Sequence, residues 1–221
     1  MRDLLHGGFK IPRGLSQFHD LRKCLNARVV FDVGANVGQS AEHYLRALPK
    51  ATIYCFEPIA ETFEKLQSRF SRNRRVLPFH LALGSSTRDA KMLTDGASDM
   101  FRISDDGTET VHVCSLDDFC SHHEIENIDY LKIDTEGYEL QVLQGAERLL
   151  QSGMIRFIEL EAGMNPDNDR HTPMELIKDH LEKRDYRLFG IYEQINEWPT
   201  SEPWLRRTNL VFMAKLSVGS I

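Results

Sequence analysis

Five short apolar runs in this chain each stop at an acid, a glycine or both: VVFDVG (29–34), TIYCFE (52–57), VLPFHLALG (76–84), YLKIDTEG (130–137) and IRFIELE (155–161). Runs of this length, rich in β-branched and aromatic residues, suit buried strands better than helices. Helical spacing fills the gaps between them. A helix is expected from about Gln39 to Leu48, with Pro49 beyond its end. The next carries Phe63, Leu66 and Phe70 on one face, with Pro58 in its first turn. Another, after Gly137, presents Leu140, Leu143, Leu149 and Leu150. Leu15, Phe18, Leu21 and Leu25 mark a leading helix, and Thr172-Pro173-Met174-Glu175 reads as a helix start with Thr172 as its cap.

The chain closes on YRLFGIYE (186–193) and TNLVFMAK (208–215), with no helix between them, so these two strands should be antiparallel. The expected fold is therefore α/β, a mostly parallel central sheet with an antiparallel C-terminal hairpin. Residues 76–83 read as one strand, and the polar stretch 85–110 as a loop or small hairpin with an apolar piece at Met92–Leu93. VHVCSLDDF (111–119) reads as a strand and a helical turn capped by Ser115 with Asp118.

Length and charge narrow the functional classes. At 221 residues one domain is expected: a leading helical segment at about 1–28, a core at 29–161 and a closing unit at 162–221. No run approaches the ~18 apolar residues that cross a bilayer, so membrane insertion is not expected. The N-terminus lacks a secretion signal's apolar run, which makes the cytoplasm the expected location. A net charge of −6 argues against a nucleic-acid partner. Arg69, Arg72, Arg74 and Arg75 read as a solvated helix end. Cys24, Cys55, Cys114 and Cys120 form no C-x-x-C pair and read as buried free thiols. The oligomeric state is not fixed by these features.

The strand ends carry the chemistry, because a parallel sheet binds ligands beyond its carboxyl edge. Asp32-Val33-Gly34-Ala35-Asn36-Val37-Gly38 joins the first strand to its helix. Glycine at 34 permits a sharp turn, and Gly38 close packing of helix on strand. The pattern is G-x-x-x-G, not the G-x-G-x-x-G of a pyrophosphate loop. Asp32 beside it would repel a diphosphate and attract an amino or sulfonium group. Glu57 ends the second strand, where a carboxylate can accept both hydroxyls of a ribose, and Pro58 biases it to an extended backbone.

Taken in order, VVFDVGANVGQS, YCFEP, FHLALGS, SLDDF, IDYLKIDTEGYELQVLQGAERLL and IELE resemble the successive signatures of FkbM-type methyltransferases. The resemblance implies a Rossmann-like class I methyltransferase fold, S-adenosylmethionine as cofactor, and a hydroxyl of a sugar, glycan or secondary metabolite as acceptor. By position it puts Asp32, Gly34, Asn36 and Gly38 around the methionine end, Glu57 on the ribose, and His80, Leu81 and Ala82 near the adenine. It puts Asp134 near the transferable methyl.

Losing the acceptor's proton calls for a general base, and Asp134, Glu136 and Glu161 share the rim, with Asp134 favoured and its pKa expected to be raised by burial. His80 and His171 are candidates by chemistry alone, and His122–His123 look incidental. Acids so placed could bind Mg²⁺, but nothing in the spacing requires it, and no metal is expected. The acceptor pocket should be built by the leading helix, residues 94–110 and the segment Ala162 to Thr172. The rival readings are an NAD-dependent oxidoreductase, disfavoured by the missing glycine and by Asp32, and an adenosylmethionine-binding protein without catalysis.

Overall fold

The computed structural model describes residues 16–21, 26–93, 102–103, 106–168, 170–197, 200 and 202–215. Its main sheet has seven strands: β1 (Val29–Val33), β2 (Thr52–Phe56), β3 (Val76–Phe79), β8 (Ile128–Ile133), β9 (Ile155–Gly163), β10 (Tyr186–Asn196) and β11 (Leu205–Ala214). Their spatial order is β10-β11-β9-β8-β1-β2-β3. The five strands from β3 to β9 run parallel, while β11 slots between β9 and β10 antiparallel to both. The order turns back at β1, which pairs with β2 on one side and β8 on the other. That switch point opens a crevice at the carboxyl ends of β1 and β8.

The inner strands β1, β8 and β9 are buried on both faces, as their nearly unbroken apolar runs require, whereas the edge strand β10 is largely half-buried or exposed. One apolar cluster joins Phe31, Phe56, Leu131, Ile133, Ile158 and Phe212 to the helices α5 (Glu139–Gln144) and α6 (Glu147–Gln151). The other, on the opposite face, joins Val30, Ile53, Tyr130 and Phe157 to α2 (Gln39–Ala47) and α3 (Ala60–Phe70). Also present are α1 (Ser16–Leu21), α4 (Leu116–His122) and α7 (Met174–Glu182). No helix among the described residues is long and apolar enough to cross a membrane.

The chain departs from the expected layout in several places. The run 76–83 is not one strand: β3 ends at Phe79, and β4 (Ala82–Gly84) joins a second sheet of order β4-β7-β5-β6. There β7 (Glu109–Ser115) pairs with β4 and with β5 (Arg88–Leu93), and β5 with β6 (Arg102–Ile103), so the hairpin anticipated within 85–110 is part of a sheet. Pro58 lies in an extended connector before α3, whose cap is Ile59. The helix after Gly137 is broken at Gly145 into α5 and α6.

Thr172 does not cap α7. Its hydroxyl donates to Glu139 Oε2 at 2.6 Å, and Pro173 takes the cap position. The arginine cluster is only partly solvated, because Arg75 donates to the carbonyls of Leu45, Leu48 and Ala51 and so closes the C-terminal end of α2. Ser115 does cap α4, accepting from the Asp118 N–H at 3.0 Å. Cys55 and Cys120 are buried free thiols and Cys114 is half-buried. Leu15, Cys24, Leu25, the Phe18 side chain and residues 94–101 lie outside the described structure.

The bend at Gly145 exists because two backbones touch there. A Cβ on Gly145 would sit 1.9 Å from the Gly84 carbonyl oxygen, too close for any side chain. Gly145→Ala should therefore force β4 and α5 apart and cost about 1–3 kcal/mol. Urea unfolding reads this directly, and an unchanged midpoint would mean the two segments do not abut.

Candidate functional site

The loop after β1 is set by backbone bonds. The N–H groups of Gly34 and Ala35 both donate to the Phe56 carbonyl, at 3.1 and 3.0 Å, which folds the loop across the end of β2. Gly34, Asn36 and Gly38 have φ of 80°, 49° and 86°, left-handed values that glycine takes freely and asparagine tolerates. A Cβ on Gly34 would lie 1.9 Å from the Asp134 carbonyl oxygen, so the ends of β1 and β8 are in direct contact there. Gly38 serves a different purpose from the one expected: a Cβ there would strike Phe70 and Leu66, so it lets the start of α2 pack on helix α3, not on a strand. Behind the loop, Arg69 donates to the Val37 carbonyl at 2.8 Å and pairs with Glu42.

Glu57 faces the loop. Its Oε2 accepts from the Asn36 N–H and its Oε1 from the Ile59 N–H, each at 3.0 Å. A carboxylate offers about four acceptor positions, so two remain for a ligand. Burial pushes its pKa up to about 7, against the pull of the two N–H bonds. A cavity of about 590 Å³ opens here, lined among others by Gly34, Asn36, Glu57, Ile59, Ala82 and Leu83. Its far end is polar, with Lys132, Asp134, Glu136 and Arg207. Leu81 is not in this wall; it turns to a separate groove beside Phe119, because the chain crosses from β3 to β4 at that point, and Leu83 takes the expected place. His80 is exposed and stacks on Phe63, with ring centroids 4.8 Å apart.

A second cavity of about 360 Å³ adjoins the first and shares Gln39, Ser40, Lys132, Asp134, Glu136 and Arg207 with it. Gln17 of α1, His43, Glu161, Arg170, His171 and Arg206 complete much of its lining. The leading helix, through Gln17, and the segment before Thr172, through Arg170 and His171, thus line this cavity.

Lys132 stands between the cavities. Its ammonium bonds Asp134 Oδ2 at 2.8 Å and lies 3.8 Å from Asp32 Oδ1. Burial alone would lower its pKa, but Asp134, Asp32 and Glu159 outweigh that and hold it above the usual lysine range. Burial alone would raise Asp134, and Lys132 more than reverses it, leaving Asp134 below the ordinary carboxylate range. The raised pKa expected for Asp134 is thus corrected in sign. Glu136 does rise, to about 7, through burial and the neighbouring Asp134 charge. Asp32 is fully buried and outside both linings, and burial pushes it up to about 6. Neither of its oxygens has a hydrogen-bond partner among the described residues.

The three rim acids are brought together. Glu161 Oε1 pairs with Arg207, and its Oε2 lies 2.8 Å from His171 Nε2. Glu136 Oε2 is 3.8 Å from the same nitrogen. Sequence reasoning missed the frame behind them. Glu139, 0% exposed, accepts from the Thr135 N–H and hydroxyl and the Gly137 N–H through Oε1, and from Thr172 through Oε2. Glu159 accepts from Gln17, Tyr130 and Asn209. The signals were present: a lysine inside the buried run YLKI, and a second glutamate in DTEGYE.

Residues 32–188 match the profile of the methyltransferase FkbM domain. Hexuronic acid methyltransferase AglP of Haloferax volcanii is 32% identical over 141 residues, an alignment that covers 62% of this chain and 58% of that protein. The chain thus spans less than two thirds of that relative. 2-O-methyltransferase NoeI of Sinorhizobium fredii is 26% identical over 202 residues, covering 82% of this chain and 80% of the relative. Among solved structures, an rRNA methylase from Streptococcus thermophilus superposes with a TM-score of 0.53 at 13% identity, over 93% of this chain and 99% of that one. TrmK of M. capricolum, solved with S-adenosyl-homocysteine, gives 0.52 at 11% identity, over 90% and 68%. At such identities the likeness is one of fold.

Glu139 supplies a test of the frame. Glu139→Gln replaces one accepting oxygen by an amide that can only donate, leaving at least one backbone N–H unpaired and removing the negative charge the remaining donors share. The expected loss is about 2–4 kcal/mol of stability. A denaturation midpoint equal to that of the parent would show that Glu139 does not hold the loop to Thr172.

Proposed function

Since the chain belongs to the FkbM methyltransferase family, we propose that it transfers a methyl group from S-adenosylmethionine to a hydroxyl of a sugar or glycan. The observation that carries this reading is the pair of adjoining cavities, one walled by the β1 loop and Glu57, the other by acids and arginines, meeting at Asp134. The names of the two relatives, a hexuronic acid methyltransferase and a 2-O-methyltransferase, support a sugar in the second. Family membership sets aside the NAD-dependent reading, and turnover to S-adenosylhomocysteine separates an enzyme from a mere binder.

The residues of the larger cavity suit the cofactor. Glu57 has acceptor positions left for two ribose hydroxyls. Ile59, Ala82, Leu83 and Met92 offer an apolar slot for a purine. Asp134, held ionised beside Lys132, gives the far end the negative charge that an amino group or sulfonium needs. The β1 loop, in our reading, closes round the methionine end through Gly34, Asn36 and Gly38.

S-adenosylmethionine supplies, when bound, a methyl group already activated for displacement. What remains for the chain is alignment, exclusion of water and removal of one proton. Of the rim acids, Asp134 is bonded by Lys132 and Glu161 by Arg207 and His171, whereas Glu136 borders both cavities and, among the described residues, has no charge-pair contact shorter than the 3.8 Å to His171. We assign proton acceptance to Glu136, with Asp134 and Glu161 orienting the site around it.

Two outcomes test this. Calorimetry with S-adenosylmethionine should show affinity rising from pH 6 to pH 8 by roughly tenfold, because Glu57 is mostly protonated below about 7 in the free protein and ribose hydroxyls donate best to the ionised form. Glu57→Ala should remove that pH dependence and weaken binding by about 1.5–3 kcal/mol; a pH-independent affinity takes Glu57 off the ribose. For catalysis, Glu136→Gln should cut kcat by ~10²–10⁴ while leaving cofactor affinity nearly intact. Near-native turnover in Asp134→Asn, Glu136→Gln and Glu161→Gln alike would mean that no rim carboxylate takes the proton.

A further inference from the structure

The wall of the smaller cavity holds three metal-ligand side chains, Glu136, Glu161 and His171, whose donor atoms face one another. Asn168 has its side-chain amide fixed by backbone: the Arg170 N–H donates to Oδ1 at 3.2 Å, and Nδ2 donates to the Arg206 carbonyl at 2.9 Å. Oδ1 is therefore an acceptor, and His171 Nδ1, 3.0 Å from it, must be the donor. With its proton on Nδ1, a neutral His171 presents a bare lone pair at Nε2. That lone pair lies 2.8 Å from Glu161 Oε2 and 3.8 Å from Glu136 Oε2. Lone pairs facing each other at such range repel unless a cation lies between them.

We propose that Glu136, Glu161 and His171 form a binding site for a divalent cation in the acceptor wall, contrary to the expectation of no metal from sequence. This rests on the functional reading above and deepens it. A proton could serve the His171–Glu161 pair, leaving Glu136 at 3.8 Å as a longer ion-pair partner of the same ring. A metal ion serves all three. Their donor atoms lie within 4.8 Å of one another, and two ligands on one ion at ~2.2 Å can be at most ~4.4 Å apart, so a small inward shift completes the set.

The surrounding contacts support the geometry. His171 is 7% and Glu161 6% exposed, so neither is swung freely in solvent. Arg207 occupies Glu161 Oε1 and leaves Oε2 turned to the site. The Nδ1–H bond to Asn168 is the kind of outer contact that orients a metal-bound imidazole. One imidazole nitrogen with two carboxylate oxygens suits Mn²⁺, which accepts both donor types, better than a purely oxygen-seeking ion.

Opening on the acceptor cavity, the ion would hold the acceptor oxygen and lower its pKa. The hydroxyl proton then passes to the free oxygen of Glu136 as the O–CH₃ bond forms and the sulfonium becomes a thioether.

The test is Mn²⁺ titration of the EDTA-treated full chain, followed by electron paramagnetic resonance, with S-adenosylmethionine calorimetry on the same samples. One Mn²⁺ per chain is expected, with echo modulation from a directly bound imidazole nitrogen that vanishes in His171→Gln. Glu136→Gln, the mildest change to the fold, and Glu161→Gln should each weaken Mn²⁺ at least tenfold, and Asn168→Ala by ~10–100-fold. Variants that still bind the cofactor are folded, so their loss of Mn²⁺ is local. Cofactor binding without a stoichiometric Mn²⁺ site overturns the proposal and leaves a shared proton between His171 and Glu161. So does Mn²⁺ binding that survives both His171→Gln and Glu136→Gln. Mn²⁺ binding without cofactor binding upholds the metal site and sinks the methyltransferase reading instead.

Discussion

One buried ammonium decides which carboxylates at the centre of this molecule can carry charge. Lys132 sits on the strand at the switch point, with Asp134 at 2.8 Å and Asp32 at 3.8 Å. Without it three acids, Asp32, Asp134 and Glu159, would share a desolvated volume, and mutual repulsion would force protons onto them. Its attraction holds Asp134 ionised and leaves Asp32, lacking the short contact, to be raised by burial. Strand β8 thus presents a permanent charge at the junction of the two cavities, while the softer acids stand to either side.

That arrangement depends on how closely β1 and β8 meet. The Asp134 N–H donates to the Val33 carbonyl at 3.0 Å, and the space a Gly34 side chain would need is taken by the Asp134 carbonyl. The two loops that leave these strands are therefore braced against each other, and each is then tied outward. The first is held through Glu57 and Arg69, the second through Glu139. Glu136 is caught in this brace with φ at 51°, a conformation that an unsupported glutamate avoids. The Glu139 bonds to the residues on either side of it, Thr135 and Gly137, hold it there.

What could be read from sequence follows the range of the signal. The ends of β1, β2 and β8 were legible because an acid or glycine after an apolar run is a local pattern, and their sheet edge follows from chain order; β9 runs past Glu161 to Gly163, because β11 pairs with it there. The division of residues 76–83 was not, since β4 is defined by pairing with Val113, Cys114 and Ser115, some thirty residues away. Thr172 looked like a cap because its neighbours spell one; a buried carboxylate 33 residues earlier claims its hydroxyl instead. His171 stood as a candidate by chemistry alone for the same reason. Nothing within ten residues of it shows that Glu136 and Glu161 converge on its ring.

The convergence itself has a simple cause. Glu161 lies near the end of β9 and Glu136 just past the end of β8, so parallel pairing of these strands puts both acids on one rim. His171 reaches that rim because the chain returns there: the Gly163 N–H donates to the Thr172 carbonyl at 2.9 Å, and Glu139 grips Thr172 from the other side. Glu139 therefore fixes two things with one carboxylate, the loop that carries Glu136 and the segment that carries His171. Because its two oxygens are only a little over ~2 Å apart by covalent geometry, any motion of one segment is passed to the other. The wall of the smaller cavity is tied together for that reason, although its parts come from three separate stretches of chain.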